Sequence, residues 1–237
     1  MAVMAVGLAV AAGLICKLNL TPKLGVDTLL LDEATKVTGV ILAGGKSSRM
    51  GTDKAMLKIG CCTTIERISA VLRAVTSEIL IVTGQPEKHA SFGDRSTPDL
   101  LPNNGPLGGI HAGLVKSHHQ LALMTACDLP FISAPLCRLL INSMTPDLDA
   151  VVPRFKGRLE PLCAVYSKSA LKVIEERLAL GLNKTVLLFD ELQVRYLDDA
   201  EMAGVEMRLD KAFLNLNTPA DFKIAQAWSA QDDHINS

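Results

Sequence analysis

From position 37 onward the chain alternates short apolar runs with longer stretches in which apolar residues recur at helical spacing. The apolar runs predict strands at residues 37–43, 79–83, 121–126, 150–152 and 162–166. The amphipathic stretches predict helices at residues 63–75, 133–144, 168–180, 184–192 and 219–230. This alternation is typical of a three-layer α/β domain with a mostly parallel sheet, and we expect residues 37–237 to form a single domain.

Residues suited to capping precede three of the predicted helices. Thr63 or Thr64 can cap the first, because a threonine hydroxyl accepts a hydrogen bond from a free N–H of the first turn. Ser133 and Thr218 each precede a helix with a proline in its first turn, where a missing N–H is tolerated. These residues predict helix starts near positions 63, 133 and 218.

The composition agrees with a buried sheet. Hydrophobic residues make up 49% of the chain and aromatic residues only 4%, which predicts an aliphatic core. The net charge is −1, so the chain lacks the excess of basic residues with which proteins neutralise nucleic-acid phosphates. We therefore expect no nucleic-acid partner.

The six cysteines show no metal-binding pattern. None are spaced as C-x-x-C, and none lie at the spacing from histidine that structural zinc sites use. We expect reduced, buried thiols and, with them, a cytoplasmic location. The cysteines are Cys16, Cys61, Cys62, Cys127, Cys137 and Cys163.

Residues 1–36 precede the alternating pattern and begin with an apolar run of 16 residues. This run is shorter than the roughly 20 residues needed to cross a bilayer, and it lacks the basic start of a signal peptide. We expect no membrane anchor. We interpret residues 1–36 as an N-terminal extension, with an interfacial helix or a partner-binding segment as the alternative.

A glycine-rich turn follows the first predicted strand. Gly44 and Gly45 allow a tight turn with exposed N–H groups, and consecutive free N–H groups bind anions. The segment 37–58 carries a net charge of +3, from Lys46, Arg49, Lys54 and Lys58 against Asp53. This local charge favours a polyphosphate ligand.

Two familiar phosphate loops do not fit this turn. A P-loop, G-x-x-x-x-G-K-[ST], would end at Gly45, Lys46 and Ser47, but its first glycine would fall at Val40. The dinucleotide fingerprint G-x-G-x-x-G fails because Gly44 and Gly45 are adjacent. The turn is therefore a different kind of nucleotide loop.

Polar residues also follow other predicted strands, where ligands of open α/β sheets bind. Asp128 comes directly after the strand 121–126 and before Leu129-Pro130. From the residues alone, Asp128 is either a ligand for Mg²⁺, which prefers oxygen, or a cap of the following turn. Residues 105–109, Gly-Pro-Leu-Gly-Gly, either open a helix whose N-terminus faces phosphate or form a flexible turn.

The loop reads L-x-G-G-x-x-x-R-M-G-x-D-K over residues 42–54 and closely resembles the signature of nucleotidyltransferases. Within that superfamily, a loop with the double glycine Gly44-Gly45 most closely resembles that of the molybdenum cofactor guanylyltransferase family. Further matches follow in the order of that family, and the likeness covers about residues 37–229. They are Pro98-Asp99, residues 105–109, residues 127–130, Glu160-Pro161-Leu162 and residues 215–219.

The resemblance implies a Rossmann-like nucleotidyltransferase domain that uses Mg²⁺, with GTP and molybdopterin as substrates. It implies that Asp128 binds the metal. Arg49 and Lys54 are predicted to stabilise the negative charge that develops as pyrophosphate leaves, so all three are predicted catalytic residues. Asn215 and Asn217 match positions near the acceptor or metal, with capping of the helix that begins at Pro219 as the alternative. The nucleotide-binding positions match Leu42, Ala43, Gly44, Lys54, Asp99 and Asp128, and Thr83 stands where the family has asparagine.

Other functions stay open on the sequence alone. The guanylyltransferase hypothesis implies transient contacts with proteins that supply molybdopterin or that take part in the maturation of molybdoenzymes. A molybdopterin cytidylyltransferase and a sugar-nucleotide type nucleotidyltransferase are the alternatives within the superfamily. A non-catalytic nucleotide- or cofactor-binding protein is the alternative from another class.

Overall fold

The computed structural model describes residues 36–44, 53–206 and 208–235. The strands of these residues are β1 Val37–Leu42, β2 Lys58–Ile59, β3 Cys62–Thr63, β4 Glu78–Val82, β5 Arg95–Thr97, β6 Leu121–Ala126, β7 Ala150–Phe155, β8 Arg158–Leu159, β9 Cys163–Ser167 and β10 Val194–Asp198. The α-helices are α1 Thr64–Arg73, α2 Pro86–His89, α3 Gly105–Lys116, α4 Ala134–Asn142, α5 Leu171–Ala179, α6 Asp199–Ala203, α7 Leu209–Ala212 and α8 Pro219–Ile235. Short 3₁₀ helices cover Lys54–Met56, Ala90–Phe92, Lys168–Ala170 and Thr185–Asp190.

The large sheet has eight strands in the order β10-β7-β9-β6-β1-β4-β5, with β8 paired to β7. β1 pairs in parallel with β4 on one side and β6 on the other. β9 runs antiparallel to both β6 and β7, and β2 and β3 form a separate hairpin. The sheet is therefore mostly parallel, and all five strands that the apolar runs predict are present.

Helices cover both faces of this sheet. Successive residues of β1 point to opposite faces, so Val40 and Ile41 pack in different core clusters. Ile41 shares its cluster with Leu72 of α1 and Leu140 of α4, whereas Val40 shares its cluster with Ile110 of α3. This arrangement confirms the three-layer α/β fold.

The glycine-rich residues 105–109 form the first turn of α3 rather than a flexible turn. Gly105 has a φ of +60°, a conformation that glycine adopts without strain, and Pro106 follows in the first turn. Gly113 lets α3 lie close to the sheet, since a Cβ there would lie 2.9 Å from Val40 Cγ1. Periodicity did not predict the full helix, because glycines and burial weaken its amphipathic pattern.

The short elements β2, β3, β5, β8, α2, α6 and α7 were not predicted, and two further elements also differ from the prediction. The α-helix predicted at 184–192 is wrong, because the chain forms only a 3₁₀ helix at Thr185–Asp190. Lys184 provides no side-chain cap there, and the branched side chains of Thr185 and Val186 disfavour an α-helical start. The edge strand β10 was not predicted. It has no apolar run, and Leu197 is the one buried residue among its five.

The predicted helix caps are confirmed. Thr63 Oγ1 accepts from the N–H of Glu66 at 3.3 Å, and Glu66 Oε2 accepts from the N–H of Thr63 at 2.7 Å, which forms a capping box. Ser133 Oγ accepts from the N–H of Leu136 at 3.3 Å. Thr218 Oγ1 accepts in the same way at the start of α8.

Some predictions fall outside the described residues: the N-terminal extension up to residue 35, Lys46, Arg49 and Cys16. Among the described residues, no helix is both long and apolar enough to cross a membrane. Of the five described cysteines, Cys62, Cys127, Cys137 and Cys163 are buried as predicted, whereas Cys61 is exposed, and the reduced state stays a prediction.

Candidate active site

The site lies where the carboxyl ends of β1, β4 and β6 meet. The N–H of Ala43 donates to the Val82 carbonyl at 2.8 Å, and the N–H of Cys127 donates to the Leu42 carbonyl at 3.1 Å. These bonds extend the pairing of the three strands by one residue. Leu42 and Ala43 therefore lie between the end of β4 and the residue before Asp128, and the exposed Gly44 follows them.

Three predicted site residues meet at this edge. Lys54 Nζ lies 3.3 Å from Asp128 Oδ2 and 2.9 Å from Asn217 Oδ1. The Lys54 and Asp128 side chains are 21% and 22% exposed, so the pair is accessible to a ligand but partly shielded from water. A partly shielded ammonium acts on a phosphate more strongly than one in bulk water.

Local contacts hold Asn217 at the cluster. The N–H of Leu216 donates to the Asp128 carbonyl at 3.0 Å, which ties the segment before α8 to the loop after β6. Thr218 caps α8, so the Asn217 side chain is not used as that cap and contacts Lys54 instead. Asn215 is different, because its side-chain amide donates to the Phe213 carbonyl at 3.4 Å and makes no described contact with Lys54.

The donor set at this edge suits a hard cation. Asp128 and Asn217 present a carboxylate and an amide oxygen, and the Lys54 ammonium lies within reach of both. The described residues contain no group of three or more His, Cys, Asp or Glu that could hold a metal.

Burial, followed by the charge of Asp128, raises the pKa of Cys127 to about 12, so this thiol stays neutral.

Glu160 is a second carboxyl group, and it lies close enough to Asp128 for the two charges to interact. Burial raises the pKa of Glu160 to about 6, and the charge of Asp128 adds to this effect while Arg158 opposes it. The sequence indicated Glu160 only as part of a motif and assigned it no role. The sequence placed Glu160 just before the predicted strand 162–166. Its proximity to Asp128 arises because β9 pairs with β6 in the sheet.

Asp99 and Thr83 lie on the β4 and β5 side of the site. Asp99 Oδ1 accepts from the N–H of Leu101 at 3.0 Å, and a Cβ on Gly108 of α3 would lie 3.0 Å from Asp99 Oδ2. Thr83 is buried, and its hydroxyl lies 2.8 Å from His89 Nδ1 and accepts from the N–H of Gln85 at 3.1 Å. The roles of both residues in nucleotide binding stay predictions.

Asp53 is a residue whose place at the site the sequence did not reveal. Its Oδ1 accepts from the N–H of Ala55 at 3.1 Å and so caps the turn that begins with Lys54. Its Oδ2 lies 3.1 Å from His89 Nε2 and also accepts from Lys88. Burial raises the pKa of Asp53, but the bonds from Lys88 and Ala55 outweigh it and hold this pKa below its usual range.

Comparison with known proteins identifies the family. The MobA-like NTP transferase domain matches residues 39–192. A protein of Pelotomaculum thermopropionicum named probable molybdenum cofactor guanylyltransferase is 39% identical over 194 residues, which cover 82% of this chain and 94% of that protein. The molybdenum cofactor guanylyltransferase of Desulfosudis oleivorans is 35% identical over 192 residues, or 81% and 95% of the two chains.

A solved structure has the same fold. Molybdopterin-guanine dinucleotide biosynthesis protein A from Archaeoglobus fulgidus superposes with a TM-score of 0.72 at 26% identity, covering 82% of this chain and 99% of that one. The chain therefore belongs to the MobA-like NTP transferase family. The resemblance that the glycine loop indicated is confirmed.

Proposed function

We propose that this member of the MobA-like NTP transferase family transfers GMP from GTP to the terminal phosphate of molybdopterin. The products are molybdopterin guanine dinucleotide and pyrophosphate. The observation that carries the proposal is the meeting of Lys54, Asp128 and Asn217 at the edge that the glycine loop also reaches. The relatives named for guanylyl transfer, matched over about four fifths of the chain, support the choice of reaction.

The reaction is a substitution at phosphorus. An oxygen of the molybdopterin phosphate attacks the α-phosphorus of GTP, and a new P–O bond forms. The bond from that phosphorus to the oxygen bridging to the β-phosphate breaks, and pyrophosphate leaves with the bonding electrons. Because the protein forms no covalent bond, its contribution is positioning and charge neutralisation.

Lys54 is suited to the second task. Its ammonium lies at the edge of the sheet on a capped turn, where it can offset the negative charge that develops on the departing pyrophosphate. We assign Arg49 the same task from the motif, since its planar fork fits two phosphate oxygens at once. Leu42, Ala43 and Gly44 supply backbone against the nucleotide.

The oxygen donors at the site fit Mg²⁺. Asp128 and Asn217 would hold the ion, which would supply further neutralisation of phosphate charge. Two protein oxygens suffice because Mg²⁺ usually keeps several waters and takes the rest of its ligands from substrate phosphates. In that state Lys54 would exchange its contact with Asp128 for one with the triphosphate.

The test is pyrophosphate release by the purified chain with Mg²⁺, molybdopterin and one nucleotide at a time. We expect release with GTP, formation of the guanine dinucleotide, and at least about tenfold lower kcat/KM with CTP. Selective release with CTP would identify the cytidylyl alternative. The absence of release with any nucleotide, together with retained nucleotide binding, would identify a non-catalytic binding protein.

A further inference from the structure

His89 is a buried histidine whose two ring nitrogens both have partners. The residue is 1% exposed and lies at the end of α2, after β4. Its Nδ1 lies 2.8 Å from Thr83 Oγ1, and its Nε2 lies 3.1 Å from Asp53 Oδ2. A histidine that merely fills the core would not need a carboxylate from a segment 36 positions away.

The surrounding donors and acceptors determine the tautomer of this ring. Asp53 is held as a carboxylate and can only accept, so His89 Nε2 must carry the proton and donate. In the neutral ring, His89 Nδ1 then accepts from the Thr83 hydroxyl, whose oxygen in turn accepts from the N–H of Gln85. Each group in this series of hydrogen bonds, from Gln85 to Asp53, thereby has a hydrogen-bond partner.

The second oxygen of Asp53 connects this chain to the site. Asp53 Oδ1 accepts from the N–H of Ala55, which caps the 3₁₀ turn Lys54–Met56. The Thr64 hydroxyl holds the carbonyl side of this turn, because its one hydrogen is shared between the carbonyl oxygens of Lys54 and Ala55, at 2.6 and 2.8 Å. The backbone of Lys54 is therefore held between a carboxylate and a hydroxyl, and only the carboxylate depends on His89.

We propose that His89 is a positioning residue, which holds Asp53 and through it sets the place of Lys54 between Asp128 and Asn217. Thr83 contributes by presenting the correct nitrogen of His89 to Asp53. The catalytic part of this inference rests on the proposed function. The tether itself rests only on the contacts between Thr83, His89, Asp53 and Ala55.

Two substitutions at one position separate the tether from simple core packing. In His89→Gln the amide nitrogen reaches near the position of Nε2 and can still donate to Asp53. In His89→Asn the shorter amide stays near the position of Nδ1 and keeps only the contact with Thr83. Both variants place an amide in the same buried space, so a general effect of losing the imidazole is common to both.

Steady-state kinetics with GTP and molybdopterin give the first readout. We expect His89→Asn to lower kcat by about 10–100-fold with less than about a threefold change in KM for GTP, because a displaced Lys54 weakens the transition state more than the ground state. His89→Gln should stay within about threefold of the unsubstituted protein in both constants. Equal losses in the two variants would overturn the proposal.

Amide hydrogen exchange of the peptide 53–57 gives a second readout that needs no activity. Exchange should be at least about threefold faster in His89→Asn than in His89→Gln, with peptides of β1 and β6 unchanged, because the Asp53 cap is released. Equal exchange in the two variants would refute the tether. If the unsubstituted protein releases no pyrophosphate, the proposed function fails, while this comparison still decides the tether.

Two further variants complete the design. Lys88→Ala removes the exposed partner of the same carboxylate, and we expect less than about a twofold change in kcat and in exchange, since exposed ion pairs contribute little. Asp53→Ala removes both oxygens that accept from Ala55 and His89, and it should speed exchange of residues 53–57 as His89→Asn does. If the His89 variants do not fold, unchanged exchange in Asp53→Ala overturns the proposal.

Discussion

Lys54 and Asp128 stand 74 positions apart in the chain, yet Lys54 Nζ lies 3.3 Å from Asp128 Oδ2. Lys54 belongs to the segment after β1, and Asp128 follows β6, which pairs in parallel with β1 over six residues. Because the carboxyl ends of neighbouring parallel strands lie at one edge, the two residues come together there. The pair is therefore a product of strand order, and it is the starting point for the predictions on activity.

Replacing Lys54 tests its role at the triphosphate. Lys54→Gln keeps most of the length of the side chain and removes its charge, so we expect kcat for GMP transfer to fall by about 10²–10³-fold. The thermal midpoint should change little, because the side chain is partly exposed and Gln can still donate to Asn217. Turnover within about threefold of the unsubstituted protein would rule out the assigned role.

Replacing Asp128 tests the proposed metal ligand. Asp128→Asn retains the shape of the side chain but lowers its attraction for a divalent cation, so the Mg²⁺ concentration for half-maximal turnover should rise at least about tenfold. Asp210→Asn is the matched control, because it removes the carboxylate of the exposed pair with Lys156 and should leave this concentration unchanged. A titration of turnover with MgCl₂ measures both, and an unchanged curve for Asp128→Asn would contradict the assignment.

The close packing of α3 on the sheet makes Gly113 sensitive to substitution. A Cβ at Gly113 would lie 2.9 Å from Val40 Cγ1 and 3.0 Å from Met124 Cε. The branched Val40 is buried in β1 and cannot move aside, so Gly113→Ala should lower the free energy of unfolding by about 1–3 kcal/mol. Urea denaturation measures this loss.

Gly109, in the same helix, is the control for this measurement. A Cβ at Gly109 would lie 3.4 Å from Leu42 Cδ2, which is ordinary contact. Gly109→Ala should therefore be neutral or raise the free energy of unfolding by up to about 1 kcal/mol, since alanine favours the helix. Equal destabilisation by both substitutions would show that close approach to Val40 is not the cause.

Glu78 makes the fold sensitive to acid. Burial raises the pKa of Glu78, but hydrogen bonds from the His118 N–H, the Thr38 hydroxyl and Arg95 lower it to about 2. The folded pKa lies below the unfolded one of about 4.5, so this carboxylate stabilises the fold above pH 4.5 and loses that effect as the pH falls toward 2.

Glu78→Gln should therefore lower the free energy of unfolding by about 1–3 kcal/mol near neutral pH. The difference from the unsubstituted protein should shrink as the pH falls through the range between the two pKa values. Thermal denaturation at a series of pH values measures this difference. A loss that is the same at all pH values would show that charge is not its source.

Glu160 has the opposite pH dependence. Burial, with Asp128 adding to it and Arg158 opposing it, raises the pKa of Glu160 to about 6 from an unfolded value of 4.5. The neutral form is favoured in the fold, so its contribution to stability is present below pH 4.5 and is lost as the pH rises through 6. Glu160→Gln should be more stable than the unsubstituted protein by about 1–2 kcal/mol at alkaline pH and equal to it in acid. Urea denaturation with EDTA measures this, and a constant difference would contradict the shifted pKa.

Local patterns in the sequence determined the elements of the fold. Apolar runs predicted β1, β4, β6, β7 and β9, and hydroxyl residues at helix starts predicted the caps at Thr63, Ser133 and Thr218. These signals are local, because burial of a strand and hydrogen bonding of a first turn depend on neighbouring residues. Where local signals were weak, as in the glycine-rich α3 and the exposed edge strand β10, the elements were incomplete or missed.

The motifs also determined the family, because the loop carrying Gly44 and Lys54 is specific in its spacing. The tertiary structure alone decided which residues meet. The folded chain brought Asn217 to Lys54, directed the Asn215 amide to the Phe213 carbonyl instead, placed Glu160 near Asp128, and joined Asp53 to His89. The physical reason is that such contacts depend on strand order and on loops that cross the sheet edge, and neither is encoded in spacing along the chain.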